Sequence, residues 1–361
     1  MDKIIKNILK KIEDEGFEAY LVGGYVRDYL LGIKSQDIDI CTNALPKDLY
    51  NIFPNNSNSN TYGGFNLKIK KYNIDITTYR KELKYQKRKP TEIIYLNNLE
   101  DDVQRRDFTI NAICMNKEEK IIDLTDGIKD LNERKIKIIG NVDEKLIEDP
   151  LRILRAIRLC SILNFKLDDK LYNSIKKNYK LIENLSDIRV KQELNKILLN
   201  KNFMRGLILL KELKILEILK IDFNDINYVD DLSGMWAQLE FFKSYSFTKQ
   251  ELTNIINIRQ IITSGVINNE VLYNYGLYNS LVAGKILNID RKLITKMYNK
   301  LPIKSEKDLQ INNNEIINIL NIKPSKIIKD IRQELIKNIL NKRLKNKNNE
   351  LKKYILNRKE M

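Results

Sequence analysis

Histidine is absent from all 361 residues. Its absence excludes Ser-His-Asp and Cys-His triads, imidazole zinc sites and any histidine general base. Cysteine is nearly as scarce: Cys41, Cys114 and Cys160 are far apart, odd in number and without C-x-x-C spacing. Neither a disulfide framework nor a thiolate metal site follows from that spacing, and a reducing cytoplasm fits. Each cysteine lies in an apolar stretch, which predicts small core filler. No apolar run reaches membrane-spanning length, and the opening MDKIIKNILKKIEDEG reads as an acid-containing amphipathic helix rather than a signal sequence. With nitrogen and sulfur ligands gone, a metal here has to be hard and oxygen-bound, which favours magnesium.

What is abundant is positive charge. Lys and Arg number 64 against 48 acids, a formal +16, which points to a polyanionic partner; Lys-, Asn- and Ile-rich usage also has a second source, an AT-biased genome. The length suits two or more cores. To roughly residue 130, short strands alternate with helices: Ala19–Val22, Asp37–Thr42, Phe65–Lys71, Ile74–Tyr79, Ile93–Leu96 and Ile121–Leu124 read as strands. Asn55–Asn60 reads as a polar loop, and Lys70–Asn73 as a hairpin turn. Beyond roughly 140 the periodicity is helical through Leu151–Leu163, Arg189–Leu199 and Phe203–Leu219, with few Gly or Pro interruptions. The stretch after Ile331 reads as a basic surface helix. The class expected is α+β, an α/β head followed by an all-helical arm.

Two adjoining segments carry the most chemistry. In Asp37-Ile-Asp39 on a strand, the carboxylates project from one face about 7 Å apart and are placed to hold divalent cations. Just before them, Gly23-Gly24-Tyr-Val-Arg27-Asp28 follows an apolar strand and opens a helix, offering backbone N–H groups and an arginine fork to a phosphate. Paired acids at an exposed strand end are the bland alternative. A third acid, Asp75, falls on another strand and either joins the pair or guards an edge. In-line attack on an α-phosphate between two carboxylate-held ions needs no protein base. Arg105-Arg106-Asp107 then runs into an apolar segment; it either binds triphosphate and ribose, with Asp107 taking a sugar hydroxyl, or is a solvated helix start.

The stretch Glu148-Asp149-Pro150-Leu151-Arg152-Ile-Leu-Arg155-Ala-Ile-Arg158 places three arginines three apart on a helix that Pro150 opens. In the plain reading Asp149 caps the helix and the arginines are solvated or acid-paired. In the functional reading an Asp acceptor beside an Arg donor complements the amino-donor and ring-nitrogen-acceptor edge that cytosine and adenine share. Guanine and uracil meet the wrong partner there, so Asp149 and Arg152 would choose C and A with no nucleic-acid template.

GGxVRD, D-x-D, RRDFTINAI, the run Asp123–Leu131 and EDPLRxLRxxR, with a later Ser186–Leu198 segment, resemble in order and spacing the class II CCA-adding enzymes, the bacterial-type tRNA nucleotidyltransferases that share a superfamily with poly(A) polymerases. The resemblance is strong over roughly 15–200. It implies a polymerase-beta-like nucleotidyltransferase head (1–130), a base-selecting neck (131–200), a body (201–300) and a tRNA-binding tail (301–361). It implies Asp37 and Asp39 as catalytic magnesium ligands; Gly24, Arg27, Arg106 and Asp107 on the nucleotide; Asp149 and Arg152 as template; Arg155 and Arg158 behind them; and Arg189 with Glu193 as support. The activity implied is addition of C, C and A to the tRNA 3′ end from CTP and ATP, releasing pyrophosphate, with no membrane and no obligate protein partner. CC-only or A-only addition, or poly(A) synthesis, are the neighbouring activities; a non-catalytic RNA-binding protein is a further alternative. Tyr79–Pro90 resembles the charged mobile loop that accompanies the switch to adenosine, and Tyr62-Gly63-Gly64-Phe65 stands where a polymerase-type Gly-Arg-Arg-Phe run would be. Past 200, Asp231–Leu239 around Trp236 resembles a body segment, with Trp236 expected in the core. Asp308–Asp330 resembles the tail helix pair, with Asn and Ser in place of its usual glycines.

Overall fold

The computed structural model describes residues 1–54, 57–59, 64–70, 72–86, 89–243 and 245–359, and divides into compact units spanning Met1–Lys220 and Ile221–Met361. Most of the Asn55–Asn60 loop, the Tyr62-Gly63 pair, Lys71, Lys87 and Arg88 lie outside or at the edge of the described residues: of these, Ser57–Ser59 is described, as a strand.

The first unit opens on α1 (Lys3–Asp14), whose buried Ile5, Ile8, Leu9 and Ile12 sit at helical spacing and whose Asp2 side chain caps Ile4 N–H at 2.8 Å. It continues through β1 (Ala19–Val22), α2 (Gly24–Leu30), β2 (Asp37–Thr42), α3 (Pro46–Ile52), β3 (Ser57–Ser59), β4 (Gly64–Ile69), β5 (Tyr72–Thr78), β6 (Arg80–Gln86), β7 (Lys89–Tyr95), α4 (Leu99–Gln104), a short 3-10 turn at Thr109–Asn111, β8 (Cys114–Met115) and β9 (Ile121–Ile122). Among the described residues the main sheet runs β3-β4-β5-β2-β1-β8-β9. Its pairs are antiparallel except β2 with β5, which run parallel with Asp39 opposite Asp75. The tight connection of β4 to β5 is entered at Lys70, with φ +53°.

The charged stretch expected as a loop at Tyr79–Pro90 instead contributes β6 and the start of β7, a separate antiparallel pair; Lys87 and Arg88 lie outside the described residues. The Arg-Lys-Glu-Leu-Lys-Tyr-Gln sequence of β6 lacks the apolar alternation by which a strand is recognised.

Behind the sheet follow α5 (Gly127–Asn132), β10 (Lys135–Ile136), α6 (Val142–Glu148), α7 (Leu151–Leu163), β11 (Lys166–Leu167), α8 (Asp169–Asn178), α9 (Asp187–Leu198), α10 (Phe203–Glu212) and α11 (Ile215–Leu219). β10 and β11 form a short parallel pair within the helical region. The Asp123–Leu131 run is a packing device. Asp123 accepts from the N–H groups of Thr125, Gly127 and Ile128, and Asp130 accepts from Thr109 Oγ1 at 2.7 Å. A Cβ on Gly127 would fall 2.4 Å from Thr109 O.

The second unit is helical apart from an antiparallel pair, β12 (Ile221–Phe223) with β13 (Leu239–Phe241). Its helices are α12 (Leu232–Ala237), α13 (Lys249–Ser264), α14 (Asn269–Ile286, broken at Gly276), α15 (Arg291–Asn299), α16 (Asn313–Leu320), α17 (Lys326–Leu340) and α18 (Asn348–Lys359). Trp236 is buried against Phe241, Tyr245 and Phe247, a core role as expected. The C-terminal stretch is more than a surface helix: Ile331, Leu335, Ile339, Leu351 and Ile355 of α17 and α18 are buried in this unit's core. No described helix is long and apolar enough to cross a membrane.

Candidate active site

A cavity of about 440 Å³ opens in the first unit, lined by Gly23, Gly24, Asp39, Arg80, Arg105, Arg106, Asp107, Asn111, Asp149, Arg152 and Arg155, with Val22, Ile40 and Thr77 as its apolar and hydroxyl floor. Segments distant in the chain converge here because β1 ends where the antiparallel β2 begins, with Val22 opposite Asp39, the 3-10 turn abuts α5, and Arg155 of α7 pairs with Asp107.

Asp39 sits on β2 at the cavity; Asp37, two residues earlier on the same strand, is exposed and not among the lining residues. Burial, then the like charge of Asp75, push the Asp39 carboxyl above the ordinary aspartate value; Asp37 adds to this, while Arg106 and Arg155 pull the other way. Gly23 precedes α2 at φ +75°, ψ −147°, and a Cβ there would lie 2.5 Å from Asp39 Oδ2. Glycine is therefore required twice over, by backbone conformation and by the approach of the carboxylate.

Gly24 lines the cavity, while Arg27 is buried behind it: Nη1 donates to Asn111 Oδ1 at 2.7 Å, and Nε and Nη2 donate to Asp28 Oδ1 at 2.9 and 2.7 Å. Asn111, on the 3-10 turn, is the lining residue that Arg27 fixes. Arg105 and Arg106 both grip Asp102, which is fully buried on α4. Among the described residues Arg106 Nε has no hydrogen-bond acceptor. Asp107 accepts from Phe108 N–H at 2.8 Å and pairs with Arg155 Nη2 at 2.6 Å; Asp107 in turn holds the Arg155 guanidinium above its ordinary value.

Asp149, the residue before the Pro150 N-cap of α7, accepts through Oδ1 from Leu151 N–H at 3.1 Å and lines the cavity. Arg152 is buried, with Nη1 donating to Glu148 Oε2 at 3.0 Å and to Lys145 O. Arg158 is not a lining residue: its Nε donates to the buried Glu193 Oε2 at 2.6 Å, tying α7 to α9. Arg189 is exposed. The three arginines are thus acid-paired, as the plain reading has it, and two of them are also at the cavity.

Comparison with known proteins agrees with this geometry. A family model described as "Poly A polymerase head domain" matches residues 19–137; "Probable RNA and SrmB- binding site of polymerase A" matches 164–224; and a tRNA nucleotidyltransferase domain 2 model matches 234–355. The chain is 34% identical to the CCA-adding enzyme of Ligilactobacillus salivarius, over 92% of this chain and 91% of that one. The chain belongs to the CCA-adding enzyme family. The family's Staphylococcus aureus member is 31% identical over 99% of both chains. Among solved structures, a Bacillus stearothermophilus CCA-adding enzyme in complex with CTP has the same fold, with a TM-score of 0.88 at 23% identity over 100% of this chain and 98% of that one.

In this family member the cavity draws further residues from the segments already quoted, and one residue from outside them acts on it. Gly23, Arg80, Arg105 and Asn111 line the site, and Asp102 organises it from behind. Gly23 belongs to GGxVRD, Arg105 and Asn111 to RRDFTINAI, and Arg80 to the charged Tyr79–Pro90 stretch, so those segments were their signal. Asp102 gave none, because its partners are set by the fold rather than by spacing.

Proposed function

We propose that this chain extends the 3′ end of tRNA by C, C and A, taking CTP and ATP and releasing pyrophosphate. The observation that carries the reading is that Asp39, the Arg105-Arg106-Asp107 run and the Asp149/Arg152 pair open on one cavity. The relatives named CCA-adding enzymes support it, as do similar folds solved with CTP, with ATP and with tRNA.

In this reading Gly24 and Arg106 meet the triphosphate, Asp107 accepts from a sugar hydroxyl, and Arg27 holds Asn111 in place. Asp149 accepts from the exocyclic amino group of C or A, and Arg152 donates to the ring nitrogen beside it. Arg152 keeps donors for this because Glu148 and Lys145 O take Nη1. Mispaired G or U would leave both groups unsatisfied away from water. Arg155 and Arg158 anchor the helix that presents the pair.

Among the described residues no cluster of three or more His, Cys, Asp or Glu is arranged to hold a metal. The donors nonetheless fit a hard divalent ion: Asp39 is crowded by Asp75 and Asp37, a repulsion that a cation relieves. Asp37 and Asp39 would hold magnesium, which when bound supplies charge neutralisation and hydroxyl activation for attack on the α-phosphate. The head, neck, body and tail divisions at 130, 200 and 300 belong to the same proposal, as does a cytoplasmic setting, which suits three buried free thiols.

The test is primer extension of tRNA lacking its last three nucleotides. CTP alone should add two residues, CTP with ATP three, and a chelator should stop both. No extension under any of these conditions sinks the reading. Asp149→Ala should lower CTP and ATP discrimination against UTP and GTP by about 100-fold; unchanged preference in misincorporation assays removes Asp149 from base selection.

A further inference from the structure

We propose that Asp102 is a positioning residue for nucleotide binding, a buried carboxylate that aims Arg105 and Arg106 into the cavity. The inference rests on the functional reading above. Asp102 lies on α4 with no exposed surface, where its carboxylate is met by two guanidinium groups and a backbone N–H. Oδ1 accepts from Arg105 Nε at 2.7 Å and Oδ2 from Arg106 Nη2 at 2.9 Å. Oδ1 also lies 3.3 Å from the backbone N–H of Arg80, the first residue of β6, which it accepts. All three of those residues line the cavity, whereas Asp102 does not. It therefore acts on a ligand through them.

Two adjacent guanidinium groups repel each other and lose rotamer freedom when confined. A shared carboxylate on a helix offsets the first effect and settles the second before a ligand arrives. The remaining geometry points the same way. Asp102 occupies Nη2 of Arg106, while Nε stays buried without an acceptor among the described residues; that donor is of the kind an anionic oxygen satisfies. The bond to Arg80 sets the base of the β6–β7 ribbon against the same two arginines.

The experiment measures Kd for CTP and for ATP on the full chain without tRNA. Asp102→Asn keeps the shape and removes the charge; it should raise both Kd values on the order of tenfold or more. Val103→Ala, the buried neighbour on the same helix, serves as the stability control: it should lower the melting temperature and leave both Kd values unchanged. Where Asp102→Asn is not recovered folded, Asp102→Glu takes its place, its extra methylene displacing both guanidinium groups and raising Kd likewise. A folded Asp102 variant with the Kd of Val103→Ala overturns the proposal and makes Asp102 a packing residue. Absence of CTP and ATP binding by the unaltered chain would instead overturn the functional reading on which it stands.

Discussion

Gly23 shows how little room the site leaves at the scale of one residue. Its φ of +75° with ψ −147° is open to glycine alone, and Asp39 Oδ2 occupies the space a Cβ would take. Gly23→Ala should destabilise the first unit by about 1–3 kcal/mol and, by pushing Asp39 aside, reduce nucleotide incorporation by at least about tenfold. Thermal melts and a single-nucleotide incorporation assay check the two effects separately; full activity would mean that Asp39 does not need its observed place. At this scale the sequence was informative wherever chemistry and spacing coincide. Asp37-Ile-Asp39 shares a face because strands alternate, and Asp149 stands beside Arg152 because a helix begins there. It was silent about Asp102, since an acid in Glu100-Asp101-Asp102 looks like any other solvated helix start until its two arginine partners fold over it.

At the scale of elements, α7 depends on ion pairs more than on a capping motif. Glu193 is buried and takes both Arg158 and Lys196, joining α7 to α9. Glu193→Gln would leave the Arg158 guanidinium facing a neutral amide in a largely buried site, and should destabilise the first unit by about 2–4 kcal/mol. A fall in melting temperature with unaltered choice among nucleotides is expected; a variant as stable as the parent would mark the pair as dispensable. Helices and core strands were readable in advance: β1 and β2 match their apolar runs end to end, and α7 its periodicity, because burial imposes the pattern. Of the β6–β7 ribbon only the end of β7 was, in the Ile93–Leu96 run, because β6 is a mixed charged sequence without alternation. Helices beyond residue 203 were readable as helix but not in their breaks: Phe203–Leu219 divides at Lys214, which takes a left-handed conformation that no glycine announces.

At the scale of the molecule, cations outnumber acids, and some acids gather several partners at once. In the second unit Glu315 accepts from Lys352 Nζ, from Asn312 N–H and from Asn348 Nδ2, and these partners, Lys352 first, hold its carboxyl down at about 2. A folded value below the unfolded 4.5 contributes stability that is present above pH 4.5 and fades as pH falls towards 2. Glu315→Gln should therefore melt below the parent at neutral pH, with the gap narrowing through that window. A gap of constant size across it would show that the charge is not what matters. In the first unit, finally, successive turns of α7 are moored to separate bodies: Arg152 to Glu148, Arg155 to Asp107, Arg158 to Glu193. A rod pinned at three points can neither spin nor slide by one residue without breaking all its moorings together. On the proposed reading, accommodating first a one-ring and then a two-ring base falls to side chains around the opening, while the Asp149 and Arg152 edge stays still.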